Sequence, residues 1–442
     1  MPYLPGLDGI RAIAVMGVLL FHLPAELLPG GFLGVDVFFV LSGFLITSLL
    51  LQEVTETRRI AFKAFYLRRA RRLLPALFAV LLVTTVLALT VARDAAAQLR
   101  HDILAALTYT TNWWYLIDDR SYFDVTGRPP LLQHLWTLAI EEQFYLVWPA
   151  VFLFTWRRWG SRGVGWTALG GTLASTVWMS WLAVSQGLPA NGDTARLYFG
   201  SDTHAMGILL GAALAVVWRP TRLPRSLSPP SQRGVAVVGS LSLLALLGCL
   251  TLFSESSPLL YRGGFLLVSA ISAVAVAAAA HPAAAFGRAL GNAPMQWVGK
   301  RSYGIYLWHW PIFLVTRPDL DLPYRGVAAA LTSLGLTFAA AEASYRWIEM
   351  PVRRGAASRL WHQVASVTGR TWSAWAVSAT VVVSVLVAGG AALATVPTVD
   401  ASTYLGGVTS VGAEPLTDTT QSPEKQSASR KPLWLQPITA VG

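Results

Sequence analysis

The chain contains one cysteine in 442 residues, Cys249, and it lies in an apolar run. That excludes an intramolecular disulfide framework and a cysteine-built metal site. Charge is scarce as well, at 13% of residues, and acidic side chains are fewer than basic ones, 23 against 34. The familiar soluble catalytic signatures are missing. There is no Gly-x-Ser-x-Gly elbow, no phosphate-binding P-loop and no His-Glu-x-x-His. No histidine is followed at the fourth or fifth position by aspartate, and no tight cluster of metal ligands occurs, so no metal is expected. The N-terminus lacks a basic leader and a small-residue cleavage site, which predicts that the first hydrophobic segment is retained.

What fills the chain is apolar: 54% of residues are hydrophobic. Hydrophobic runs of ~20 residues recur along it, the length that crosses a bilayer as helix. The fold class expected is all-α, a polytopic integral membrane bundle. Eleven spans are predicted, at 8–28, 31–51, 75–92, 134–156, 163–186, 204–218, 234–253, 263–281, 302–316, 324–345 and 374–396. They divide into a ten-helix core within 1–354, a basic linker 355–373, an additional span 374–396 and a tail 397–442. The net charge of +11 does not point to nucleic acid, because the basic residues cluster in short connections between apolar runs. Those are Arg58–Arg72, Arg157–Arg162, Arg219–Arg233, Arg288–Arg301 and Arg346–Arg370. All five fall on one side, which predicts a plasma-membrane protein with a cytoplasmic N-terminus and the tail outside.

Three further segments carry expectations. His101 to Leu116 is apolar but short, and reads as an interfacial or re-entrant helix with Trp113, Trp114 and Tyr115 at headgroup level. Arg58 to Leu74 holds seven basic residues and stops at Pro75, which predicts a cytoplasmic amphipathic helix on anionic lipid. The tail from Pro397, rich in Ser, Thr, Pro and Gly, reads as disordered and too short for a catalytic domain.

Within the first span lie Arg11 and His22. Ionisable groups in hydrocarbon are costly and point to function. Eleven residues at ~100° each is about three turns, so both project from one face, ~16 Å apart along the axis. A snorkelling arginine with a structural histidine would also account for the pair. Other polar residues sit in or beside the spans: Asp36, His134, Glu141, Glu142, Asp202, His204, His309, Glu342 and Glu349. Singly, each suits a structural hydrogen bond. Together they imply a polar cavity inside the bundle, with a histidine-centred site as the best catalytic candidate.

Six ordered blocks then stand out. They are Leu4-Pro5-Gly6-Leu7-Asp8-Gly9-Ile10-Arg11-Ala12 completed by His22; Gly31 to Phe44; Phe65 to Pro75; His134 to Tyr145; the block around His309; and Tyr345 to Pro351. In these the chain resembles the membrane-bound acyltransferase-3 family, which includes bacterial polysaccharide and peptidoglycan O-acetyltransferases. The resemblance covers Tyr3 to about Arg354. It implies transfer of an acyl group, usually acetyl, from cytoplasmic acetyl-CoA to a hydroxyl on an extracytoplasmic carbohydrate. Acyl-CoA is then a donor substrate, and no cofactor is expected to be held permanently.

On that resemblance, Arg11 would hold CoA phosphate, with Arg68, Arg69, Arg71 and Arg72 adding to the anion site. His22 would act as general base on the acceptor hydroxyl or carry the acyl group itself. Asp36 or Glu141 would orient the imidazole. Trp136, Glu142, Tyr145, Trp308 and His309 would line the acceptor side. Some family members add an extracytoplasmic esterase-like domain with a Gly-Asp-Ser block, which is absent here. The membrane domain would then acylate its acceptor directly, or a separate extracytoplasmic transferase would finish the step. Competing readings are a glycolipid or glycosylated small-molecule acceptor such as a macrolide, a proton-coupled transporter or flippase, and an inactive partner subunit. A transporter often shows internal repeats, but the Arg-x10-His pattern occurs once.

Overall fold

The computed structural model describes residues 3–23, 27–121, 128–318 and 320–355. The predicted additional span, the tail and nearly all of the basic linker lie outside the described residues. The rest is helical, with no strand among the described residues. Six helices are long and apolar enough to cross a membrane, and the chain is a multi-pass membrane protein.

The helices in chain order are α1 (Pro5–His22), α2 (Gly34–Thr57), α3 (Phe62–Thr90), α4 (Ala96–Leu107), α5 (Thr111–Ile117), α6 (Trp136–Ser185) and α7 (Ala195–Phe199). They continue with α8 (Met206–Val217), α9 (Pro229–Leu252), α10 (Phe265–Ala280), α11 (Ala285–Leu290), α12 (Ala293–Leu314), α13 (Gly326–Ser344) and α14 (Met350–Arg353). The side of the bundle where α1 begins is called the entry face below, and its opposite the far face. Ten predicted spans map onto nine helices, because α6 supplies two. Its arms meet at Gly160, whose φ of 64° and ψ of −157° only glycine adopts without strain.

Burial separates centre from rim. Within the most apolar window, α1 is 67% buried and the second span 78%, against 28% for α9 and 22% for the span containing α13. The centre therefore forms around α1 and α2, with α12, α10 and α8 packed on them. Lipid offers apolar side chains as good a home as protein does, so close backbone approach must hold such a centre together. At the α2–α8 crossing, a Cβ on Gly43 would lie 1.8 Å from the Ile208 carbonyl, and one on Gly211 would lie 2.0 Å from that of Val40. A larger residue at either position would force these helices apart.

Two local expectations are corrected. Arg58–Leu74 is not a separate surface helix ending at Pro75. One helix, α3, runs from Phe62 to Thr90 with Pro75 inside it. Proline removes one backbone hydrogen bond, and within a packed membrane bundle neighbouring groups make up for it. The 101–116 segment is two helices, α4 and α5, broken at Tyr109, whose φ is 54°. Tyr115, expected at headgroup level, is fully buried. Ion pairs bind the far-face loops: Arg128 lies 2.8 Å from Asp94 and 3.0 Å from Asp321.

Candidate active site

At the entry end, α1 and α3 bring guanidinium groups together. Arg11 lies 3.1 Å from the Asp8 carboxylate, to which the Tyr3 hydroxyl also donates at 2.6 Å. On α3, residues three apart share a face while their immediate neighbours do not. Arg69 and Arg72 accordingly line a cavity, whereas Arg68 and Arg71 do not, Arg68 lying 3.8 Å from Glu53 instead. The cavity measures about 220 Å³, and Arg11, Ser42, Glu141, Tyr145 and Tyr306 also line it. Arg72 is exposed, so the cavity communicates with solvent.

The arginines are held in different ways. Arg69 donates from Nε to Glu142 Oε1 at 3.1 Å, and its guanidinium sits 3.0 Å above the Tyr145 ring centre. Glu141 accepts from the Ser42 hydroxyl at 2.7 Å. Arg72 forms no ion pair among the described residues. The arrangement is a pre-shaped anion site: one arginine fixed by a carboxylate and a ring, and another with its charge uncommitted.

The far end of α1 carries imidazoles. The His22 ring lies 5.2 Å from the His309 ring and 4.8 Å from that of Trp310, centre to centre. His134, just before α6, lies 5.6 Å from His309. Each imidazole is pinned to a backbone carbonyl: His22 Nδ1 to Val18 at 2.9 Å, His309 Nδ1 to Tyr306 at 2.5 Å, and His134 Nε2 to Leu307 at 3.1 Å. A carbonyl only accepts, so the pinned nitrogen carries the proton. In the neutral ring, the other nitrogen is then a base. For His309 and His134 that second nitrogen is buried and has no partner among the described residues. Among the described residues no group of three His, Cys, Asp or Glu side chains could hold a metal ion.

Tyr306 stands between the two ends. It lines the arginine cavity, yet its ring centre is 5.2 Å from His309 and 5.7 Å from His134. Its hydroxyl donates to the His134 carbonyl at 2.9 Å and accepts from Thr137 at 2.8 Å. His134 was expected only as one of the polar residues around a cavity, with no role of its own, and neither Tyr306 nor Trp310 was singled out from the sequence. Tyr306 could have been found from its place one turn before His309.

Several expected placements change. Asp36 does not orient His22. Its Oδ1 lies 3.0 Å from His204 Nε2, with both side chains wholly buried. Glu141 is likewise committed to Ser42 beside the arginines. Glu142 and Tyr145 stand against Arg69 rather than beside His22, because α6 starts at the far face and drops about 1.5 Å per residue. Trp136 is fully buried, its ring centre 4.5 Å from Tyr198 and 5.8 Å from His204, and does not line the cavity. Trp310, not Trp308, packs on His22, since position 308 lies about 200° round the helix from 310 and so on the opposite side. His309 and His22 are both buried, side by side.

An acyltransferase domain family model matches residues 4–389. The peptidoglycan O-acetyltransferase OatA of Listeria monocytogenes is 40% identical over 354 residues, covering 80% of this chain and 56% of that protein. The Bacillus subtilis protein named "Putative peptidoglycan O-acetyltransferase YrhL" is 38% identical, over 79% of this chain and 55% of its own length. The chain thus spans little more than half the length of these relatives. No solved structure matches it. With the matched range running through α1 and all the helices that carry the arginine and histidine ends, the chain belongs to the acyltransferase-3 family.

Proposed function

We propose that this protein is a transmembrane O-acyltransferase that takes an acyl group, acetyl by analogy with its relatives, from cytoplasmic acyl-CoA and passes it to a hydroxyl of a cell-envelope carbohydrate on the opposite side. The observation that carries this reading is α1 itself, with a solvent-connected arginine cavity at one end and pinned imidazoles at the other. The ends are ~16 Å apart along the helix, a span that the pantetheine arm of CoA covers when extended. The entry face is then cytoplasmic, in keeping with the basic loops.

In this reading Arg11, Arg69 and Arg72 hold the phosphates of the donor. The thioester reaches past Tyr306 toward His22. His22 Nε2 removes the proton of the acceptor hydroxyl as that oxygen attacks the thioester carbonyl. The carbon–sulfur bond breaks, and the proton passes from the imidazolium to the leaving thiolate. The lone pairs of His134 and His309 support the same reading, because a hydroxyl is the donor such acceptors lack. Glu142 acts through Arg69 and Asp36 through His204, so both are positioning residues here.

The test is release of free CoA from acetyl-CoA by the purified protein in lipid vesicles, with and without envelope glycan, beside His22→Ala. Glycan-stimulated release that vanishes in the variant is expected. Transmembrane movement of a solute by wild type, with no CoA release under any condition, would replace the proposal with the transporter.

A further inference from the structure

The entry face holds a second concavity, away from the arginine cavity. It is a groove of about 110 Å³ between the last turns of α2 and the loop after α8. Ser48, Gln52, Thr55, Arg219, Thr221 and Arg222 line it. α2 offers a different stripe to each hollow. Ser42, Leu45 and Leu49 face the first, whereas Ser48, Gln52 and Thr55 face the second, about 120° further round the helix.

The groove is built for an anion. Arg219 Nε donates to the Val216 carbonyl at 3.0 Å, which anchors the guanidinium at the end of α8. Neither Arg219 nor Arg222 forms an ion pair among the described residues, although the two are close. Burial and the neighbouring Arg222 charge both push the Arg219 guanidinium down from its ordinary value. Two uncompensated like charges flanking one hollow favour a negative group between them. Glu56 also lines the groove and accepts from Gln52 at 2.8 Å; it forms no ion pair with either arginine among the described residues. The Ser48 hydroxyl is buried at the groove wall and has no hydrogen-bond partner among the described residues. An unmade hydrogen bond of that kind is a cost that a ligand oxygen removes.

The depth of the groove selects the ligand. The arginines follow the end of α8, at the membrane surface. Ser48 lies nine residues before the end of α2, ~13 Å into the same span. A phospholipid has its phosphate at the surface, its glycerol oxygens below, and acyl chains to follow buried Leu51. We propose that this groove is a binding site for the phosphodiester headgroup of an anionic glycerophospholipid in the leaflet at the entry face. The proposal is independent of the acyl-transfer reading.

Thermal unfolding of the full chain in phosphatidylcholine vesicles with increasing phosphatidylglycerol tests it. The anionic lipid is expected to raise the midpoint of the wild type by several degrees, as any ligand of the folded state does. Arg219→Ala with Arg222→Ala should lose most of that rise. Arg225→Ala with Arg233→Ala, which removes equal charge from the same connection, should keep it. Equal loss in both pairs would overturn the site in favour of diffuse surface attraction. So would a full rise produced by inorganic phosphate in pure phosphatidylcholine, which would make the ligand a free anion. Should the arginine pair fail to fold, Ser48→Ala decides: it removes one hydroxyl and should reduce the rise in midpoint from pure phosphatidylcholine to phosphatidylglycerol. An unaltered rise would overturn the proposal.

Discussion

The two ends of α1 solve opposite electrostatic problems on one helix. At the Arg11 end the charges are permanent, and the structure keeps them in contact with solvent or pairs them with carboxylates. At the His22 end the imidazoles meet backbone carbonyls and aromatic faces. A wet, cationic end suits binding of a charged group that never crosses. A dry end of neutral bases suits proton transfer, where each dipole counts for more. Division of labour along one helix is what the difference teaches under the proposed function: affinity would reside at one end and chemistry at the other.

The sharpest way to break that division is His22→Ala. If the dry end does the chemistry, turnover should fall by about 10²–10⁴-fold, the usual worth of a positioned acid–base group. Donor binding should barely change. Both quantities follow from CoA release over a range of acetyl-CoA concentrations. A variant that lost donor affinity but kept its maximal rate would reverse the assignment of the two ends.

Arg72→Ala tests the other side. Arg72 is exposed to the cavity and has no ion-pair partner among the described residues, so its removal strands no buried carboxylate. Loss of a charge-assisted contact of about 1.5–3 kcal/mol would raise the donor KM roughly 10–100-fold. The maximal rate should hold. Arg72→Lys should restore part of the loss, since it returns the charge without the planar fork. An unchanged KM would remove Arg72 from donor binding.

Tyr306→Phe probes the boundary. The ring still separates cavity from imidazoles, but the hydrogen bonds with the His134 carbonyl and Thr137 go. Each is worth about 1 kcal/mol, so kcat should fall roughly tenfold through misplacement of His134, with KM for the donor retained. A rise in KM alone would place Tyr306 with the binding end.

How much of this the sequence carried depends on the range of each interaction. Arg11 and His22 were legible as one stripe because helical periodicity is local. The positions of most long helices were legible because lipid demands long apolar runs. The Asp36–His204 pair was not, because its partners are 168 residues apart and nothing local distinguishes either one. Continuation of α3 through Pro75 was missed because the rule that proline stops a helix is local, while packing against the bundle overrides it. That miss mattered for the site. Read as a surface helix, the segment offers four equivalent arginines; as the start of a packed span, it turns Arg69 and Arg72 inward and leaves Arg68 and Arg71 outside.

The smallest effect is expected where neither end of α1 is involved. Asp102, on α4 in the far-face layer, is almost wholly buried and accepts from Trp114 Nε1 at 3.1 Å. Burial pushes its carboxyl up to about 7, and the Trp114 hydrogen bond offsets only part of that. Its folded value is therefore raised above the unfolded one, near 4. Between those values the folded chain holds a proton that the unfolded chain has released, so stability declines as pH rises from about 4 through 7. Above 7 the folded carboxyl ionises and the loss levels off. Asp102→Asn keeps an acceptor for Trp114 and cannot ionise, so it should remove this decline. The expected outcome is a midpoint equal to wild type or close to it at pH 4.5, and higher by a few degrees at pH 8, from thermal unfolding in neutral vesicles. Parallel curves for wild type and Asp102→Asn would mean that the carboxyl is hydrated in the folded chain, and that the layer formed by α4 and α5 is looser than its packing against Trp114 and Tyr115 implies.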